Sequence, residues 1–483
     1  MKEWSQQFVD DWLRLNPISA TELGVHDYDD EWGNIGIIGA STMNEFITQK
    51  ASELQHFDPT LLSVRITSLF FEDIQRTFRA GDYLYDLNSL QCTFHNLVSA
   101  LNHTRPESKT SRLQKLPLAL TQYIELLREG LRRGKIVTRR QVLTVIEQAS
   151  DLPLFSEFRQ FLQVEYLPQA VLRDGVGSDR YMRAVKSFTG TELNLIELYE
   201  WGFQEINRVQ AELDSFDTVE QVSPLVHTEE EFFNFINTSE ADAWERVQDL
   251  FHIPDVIQLP RLESNGLTGY NITYTQPPSD FNHQGTITYS NQYPLEMKSA
   301  LTTAFHEGFP GHHLQVSHQV YNSNQLTAIQ RLFINFPVYS EGWALYSEHL
   351  MMETGIYDDK EPYHLYGKYL GEMLRCCRVV VDIGIHLGLV NLETGRVWDF
   401  QQGVDLLCQR CGVDVEEAES EVTRYCGLPG QSICYKLGEK KILEYRERWL
   451  QEGGDLYSFH TAFLDLGNVD LAYMDWYFGC TRR

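Results

Sequence analysis

Apolar residues recur at helical spacing through most of the chain. The stretches 41–57, 118–134, 190–214, 363–390 and 434–450 carry them three and four positions apart, as amphipathic helices require. Turn-forming residues cluster between such stretches, at Pro277-Pro278-Ser279-Asp280 and at Gly427-Leu428-Pro429-Gly430. One segment breaks the pattern. Tyr270-Asn271-Ile272-Thr273-Tyr274 and Thr286-Ile287-Thr288-Tyr289 are β-branched and aromatic, and a polar loop joins them, which predicts two short strands. After Pro294 the run from Leu295 to Phe305 reads as helix and leads directly into His306. The expected fold is mostly α: a large helical body with a small β-strand element placed just before the helix that carries His306.

Composition adds a core and a boundary count. The 483 residues are 42% hydrophobic and 22% charged, as in an ordinary folded protein with a large interior. No stretch is jointly rich in Pro, Gly and Ser, and no internal repeat is visible. A single domain over residues 1–483 is expected, with its functional core at about 265–440.

Charge narrows the partners. Forty basic residues face 68 acidic ones, for a net charge of −28. Such a surface repels phosphate backbones and anionic lipid, so neither nucleic acid nor a membrane is expected as a partner. The first residues, Met1-Lys2-Glu3-Trp4-Ser5, lack the apolar stretch of a signal peptide. The most apolar run, Val379 to Val390, is interrupted by Asp382 and His386 and is too short to span a bilayer. A cytoplasmic protein is expected, with its oligomeric state left open. Among the eight cysteines, Cys408-Gln409-Arg410-Cys411 has the spacing of half a zinc ribbon or of a redox pair. No second such pair exists, so reduced structural thiols are the expectation.

Candidate chemistry centres on His306-Glu307-Gly308-Phe309-Pro310-Gly311-His312. Of 15 histidines, His306 alone is followed directly by Glu. In the H-E-x-x-H pattern two imidazoles share one helical face and hold zinc, while the Glu reaches the attacking water. Here the second histidine comes two residues late. On an ideal helix His312 would be rotated by about 240° from His306, and His313 would lie about 10 Å further along the axis. The intervening Gly308, Phe309, Pro310 and Gly311 have the composition of a helix that bulges, since Pro310 donates no hydrogen bond and the glycines tolerate unusual dihedrals. A looped-out pair of residues would return His312 to the metal.

The third ligand is expected from the next helix, as gluzincins take it. Glu341 begins that helix and Glu348 follows two turns later. They lie about 10 Å apart along the axis and cannot share one ion, and Glu341 is preferred, beside Gly342. Glu348 is expected to orient a ligand histidine, and His313 to support the metal helix. Glu307 is the candidate general base. Tyr435, after the Pro429-Gly430-Gln431 turn, is the first candidate to stabilise an oxyanion, and His386 the second. Arg424 could bind a peptide carboxylate. Arg378 is a second substrate-binding candidate, although its spacing to Asp382 also suits a helical ion pair.

Phe305 to Gln315, Phe-His-Glu-Gly-Phe-Pro-Gly-His-His-Leu-Gln, resembles the signature of the domain-of-unknown-function 885 family. The blocks Glu341 to Tyr346, Arg378 to His386, and Arg424-Tyr425 with Pro429-Gly430-Gln431 and Tyr435 resemble further motifs of that family, and Asn16 to His26 resembles its opening segment. The central motif is also similar to Phe-His-Glu-Phe-Gly-His of thimet-type oligopeptidases, with two residues inserted. The resemblance implies a helical zincin-like metallopeptidase fold, zinc as cofactor and a peptide or small amide as substrate. Two other readings stay open. One is a zincin-like binding protein without catalysis, although His306, Glu307 and His312 are all retained. The other is a helical di-iron carboxylate protein built on Glu53-x-x-His56 and Glu361-x-x-His364, which Pro362 would disturb.

Overall fold

The computed structural model describes residues 1–218, 222–266, 271–290 and 292–479. Tyr270 and Cys480 lie outside the described residues. Helices dominate, as the periodicity predicts: the five stretches above correspond to Ile37–Leu54, Pro106–Arg132, Leu195–Leu213 (α1), Pro362–Leu387 and Cys434–Gln451. Between the first two of these run Leu62–Ala80 and Thr93–His103.

The buried apolar side chains form two clusters. One gathers Trp32 and residues from Leu84 to Tyr166, and is built largely from the helix Pro106–Arg132 and its neighbours. The other combines the first helices with nearly everything from Tyr181 onward. The candidate metal segment belongs to this second cluster through Leu301, Ala304, Phe305, Phe309 and Leu314.

The elements around the site follow in chain order. Helix α2 (Glu229–Val247) precedes strands β1 (Arg261–Ser264), β2 (Asn271–Thr275) and β3 (Thr286–Ser290). The two expected strands are β2 and β3, paired antiparallel with Ile272 opposite Tyr289 and Tyr274 opposite Ile287. The third strand, β1, runs parallel to β3 on its other side. It went unpredicted because Arg261-Leu262-Glu263-Ser264 is short and mostly polar, and only pairing with β3 stabilises it. In β3 Ile287 and Tyr289 are both buried, so this central strand faces the helices.

The expectation of continuous helix from Leu295 is corrected. Leu295–Glu296 is instead a strand paired with Leu225–Val226, and the helix starts at Ala300. That helix, α3, covers Ala300–Glu307, and α4 covers His312–Tyr321. Helix α5 (Pro337–Glu353), with Pro in its first turn, is followed by α6 (Pro362–Leu387), α7 (Val415–Gly427) and α8 (Cys434–Gln451). Helices α5 and α8 cross at Gly342 and Gly438, where a Cβ on Gly342 would lie 2.6 Å from the Gly438 Cα. Gly342 thus permits a close helix–helix approach.

Candidate metal centre

The helix carrying His306 does not bulge; it ends. Helix α3 stops at Glu307, residues Gly308 to Gly311 turn the chain, and α4 starts at His312. A bulge would have kept one helix axis, whereas the chain begins a second one. Both glycines are required by close approaches. A Cβ on Gly311 would meet the carbonyl oxygen of His306 at 2.1 Å, and one on Gly308 would meet Oε1 of Glu240 at 1.8 Å. The turn is held from α5: the Trp343 indole N–H donates to the Pro310 carbonyl at 3.0 Å, and the Ser347 hydroxyl donates to it at 3.2 Å.

This break brings His306 and His312 together, with ring centroids 4.9 Å apart and planes at 89°. Glu341 completes the group, with Oε2 at 3.5 Å from Nε2 of each histidine. Among the described residues these three are the group of His, Cys, Asp or Glu side chains placed to hold a metal ion, with ligand atoms within 4.8 Å of one another. Glu341 sits in the second turn of α5, not at its start. The di-iron alternative finds no such convergence: Glu53 accepts from the Trp4 indole, and His364 stacks on Phe235.

Glu348 stands behind His306. Its Oε1 accepts from His306 Nδ1 at 2.7 Å, and its Oε2 accepts from the Thr302 hydroxyl at 2.6 Å. An ionised carboxylate only accepts, so the proton of His306 sits on Nδ1 and Nε2 is turned toward His312 and Glu341. Burial pushes Glu341 upward, but the hydrogen bonds and charges of both histidines outweigh it and hold the carboxylate well below its usual range. Burial alone would lower His306; Glu341 and Glu348 overcome that and raise its imidazolium to about 9 when only protons compete for the nitrogen.

His313 does not join the cluster. It is fully buried, its Nδ1 accepts from the Tyr274 hydroxyl at 2.9 Å and its Nε2 donates to the Gln258 carbonyl at 2.6 Å. It therefore pins α4 to β2 and to the segment before β1. Beneath Gly308, Glu240 of α2 is fully buried with both carboxylate oxygens unpartnered, and burial raises it well above the ordinary value. Its position against the metal turn was invisible in the sequence, as were the supports Thr302, Trp343 and Ser347.

The remaining candidates divide. Tyr435, in the first turn of α8, is half-buried; burial and then the nearby Glu341 carboxylate raise its phenol. The Arg378 guanidinium lies over its ring, 4.6 Å from the centroid, and Gln431 Nε2 donates to its hydroxyl at 3.4 Å. Arg378 does not pair with Asp382. It donates to Glu421 Oε2 at 3.0 Å and to the Tyr425 hydroxyl at 3.2 Å. Asp382 instead accepts from the Tyr181 hydroxyl and the Gly430 amide. Arg424 joins Arg378 on Glu421, at 2.9 Å. His386, expected as a second oxyanion donor, is fully buried in the core: Nδ1 accepts from the Val176 amide at 3.3 Å, and Nε2 donates to the Tyr425 carbonyl at 3.1 Å. Both ring nitrogens serve the chain, which makes it an anchor. Glu307 is half-buried at the end of α3.

The seven described cysteines are free thiols; Cys411 directs its sulfur at Cys377, 3.9 Å away. Among the described residues no helix is long and apolar enough to cross a membrane.

The fold has known counterparts. A candidate lipoprotein from Colwellia psychrerythraea superposes with a TM-score of 0.81 at 18% identity, covering 99% of this chain and 98% of that one. A candidate lipoprotein of unknown function from Shewanella oneidensis gives 0.73 at 18% identity and 99% coverage of both. A weaker likeness, at a TM-score of 0.46 and 11% identity over 99% of each chain, is to a carboxypeptidase from Pyrococcus furiosus. No functionally curated protein matches the chain. The model of the family described as "Bacterial protein of unknown function (DUF885)" matches residues 17–154 and 151–476, so with its helical fold and His-His-Glu cluster this chain is a member of the DUF885 family.

Proposed function

We propose that the protein is a zinc-dependent hydrolase that cleaves peptide or related amide bonds. The observation that carries this reading is a distance. Four ligands at about 2.1 Å from a tetrahedral zinc stand about 3.4 Å from one another, and Nε2 of both His306 and His312 lies 3.5 Å from Glu341 Oε2. Two imidazoles and one carboxylate form a donor set that suits zinc, with a fourth position left for water or substrate. The Glu348 contact to His306 Nδ1 is the outer support that ligating histidines ordinarily have.

In this reading His306, His312 and Glu341 hold the ion, which when bound acidifies water and polarises a carbonyl. Glu307, next to His306 in sequence, accepts the proton of the attacking water on its carboxylate and later delivers it to the departing amine. Tyr435 donates its phenolic hydrogen to the oxygen of the tetrahedral intermediate. Its raised pKa keeps that hydrogen in place at neutral pH. The seven free thiols among the described residues are in keeping with action in a reducing, cytoplasmic compartment.

The test is metal analysis of the purified protein together with digestion of a peptide library read by mass spectrometry. About one zinc per chain is expected, with hydrolysis that chelation abolishes and zinc restores. Full activity in exhaustively chelated protein would overturn the reading.

A further inference from the structure

We propose that Arg378 and Arg424 bind a free carboxylate of the substrate, so that the enzyme removes the C-terminal residue of a peptide. This rests on the hydrolase reading above and names its substrate class.

The two arginines come from different helices, α6 and α7, and converge on one acid. Glu421 Oε2 accepts from Arg378 at 3.0 Å, from Arg424 at 2.9 Å and from the Tyr425 hydroxyl at 2.5 Å. One carboxylate cannot neutralise two guanidinium groups, so a positive charge is left over, in a chain whose net charge is −28. That surplus is not on the outer surface. Arg378 keeps 11% and Arg424 17% of its side chain open. Partly desolvated guanidinium groups bind carboxylates more strongly than exposed ones do. Glu421 takes the Nε and Nη2 side of both arginines, so an incoming carboxylate would meet the remaining N–H groups of their terminal nitrogens.

The charge is also well placed. Tyr435 is near both groups: Arg378 lies over its ring, its hydroxyl is held by Gln431, which also accepts from Arg424 at 3.0 Å, and the Glu341 carboxylate is close enough to raise its phenol. Arg375, one turn before Arg378 on α6, reaches within 4.0 Å of Glu348, the residue that holds His306. One face of α6 therefore runs from the back of the metal cluster to the arginine pair. In a C-terminal residue the carboxylate is separated from the scissile carbonyl by one amide nitrogen and one Cα, a span of about 3.8 Å between neighbouring Cα positions. A carboxylate on the arginines would leave only the last peptide bond within that short reach of Tyr435, whose ring Arg378 covers. Water adds to that carbonyl, its C–N bond breaks, and Glu307 transfers the water's proton to the leaving amine. The products are a free amino acid and a peptide shortened by one residue.

A carboxylate could equally come from an acidic side chain, and the experiment separates the sources. The zinc-loaded protein is given N-acetylated tetra-alanine with a free C-terminus, the same peptide C-amidated, and a C-amidated version ending in Glu. The free acid should lose its last residue with a kcat/KM about 10–100-fold above the amide, the range of a charge-assisted contact. Arg424→Gln should narrow that ratio toward one, and Arg424→Lys should restore part of it. Equal cleavage of acid and amide, cleavage at internal bonds, or preference for the Glu-terminated amide would each overturn the inference while leaving the hydrolase reading intact. If no peptide is cleaved, the hydrolase reading fails, and binding of the free acid and the amide to Glu307→Gln protein, measured by calorimetry, decides the arginine site independently. Equal affinities there would overturn it, and tighter binding of the free acid would sustain it.

Discussion

Nδ1 of His306 lies 2.7 Å from Oε1 of Glu348, two turns along α5 from Glu341, which faces Nε2 of the same ring at 3.5 Å. One helix thus approaches one imidazole from both nitrogens, with two acids doing different jobs. Glu341→Ala should empty the metal site. Glu348→Ala should leave it filled but weaken zinc by about 10–100-fold, as loss of an outer support does. Zinc affinities measured by competition with a chromogenic chelator distinguish the two. If Glu348→Ala is the variant that cannot hold zinc, the ligand set is wrong.

Glu307→Gln keeps the size of the side chain but not its basicity. Hydrolysis should drop by about 10²–10⁴-fold, with zinc content unchanged. Near-normal turnover would move the general base elsewhere.

The turn between α3 and α4 should tolerate no side chain at Gly311. The added methyl would meet two backbone oxygens, His306 at 2.1 Å and Phe305 at 2.3 Å, neither of which can swing aside. Gly311→Ala should cost about 1–3 kcal/mol of stability, as overpacking does, and should lower zinc affinity by shifting His312. An unchanged melting temperature together with unchanged zinc binding would show that the turn does not set the ligand spacing.

Stability should fall on mild acidification. Burial holds His313, His318, His364 and His460 down to about 4, against 6.5 in an exposed imidazole. These groups are neutral in the folded protein, while the unfolded chain protonates them below 6.5, so stability present above 6.5 is lost progressively as the pH falls toward 4. Each proton taken up on unfolding contributes about 1.4 kcal/mol per pH unit. His306, raised instead, adds no further slope at the acid end of this window, because it is protonated in both states there. Thermal unfolding followed at pH 7, 6 and 5 should show a steadily falling midpoint, and His313→Gln should reduce the slope. A flat profile would mean that these rings are protonated within the fold.

The sequence by itself determined the helical architecture, the two strands β2 and β3, and the identity of the candidate cluster. Those features are local. Helical spacing, β-branched alternation and a unique His-Glu pair are written within a few residues of one another. Glu341 was readable only as the preferred one of two acids, since Glu348 lies on the same helix two turns later, and the contacts of Glu341 to both histidines single it out. Only the tertiary structure decided how the six-residue spacing from His306 to His312 is accommodated. Gly308 to Gly311 permit a bulge or a break, and the break is set by Trp343 and Ser347, which hold the Pro310 carbonyl from another helix. The same holds for the ion pairs. Arg378 is four residues from Asp382, yet it turns to Glu421, because Tyr181 and Gly430 already occupy that aspartate. His386 shows the same limit from the other side: a histidine's type suits catalysis or anchoring equally, and only the donors and acceptors packed around both nitrogens assign it to the core. Partner choice among buried polar groups is a property of the packed interior, where each group must satisfy its neighbours at once, and no local pattern encodes it.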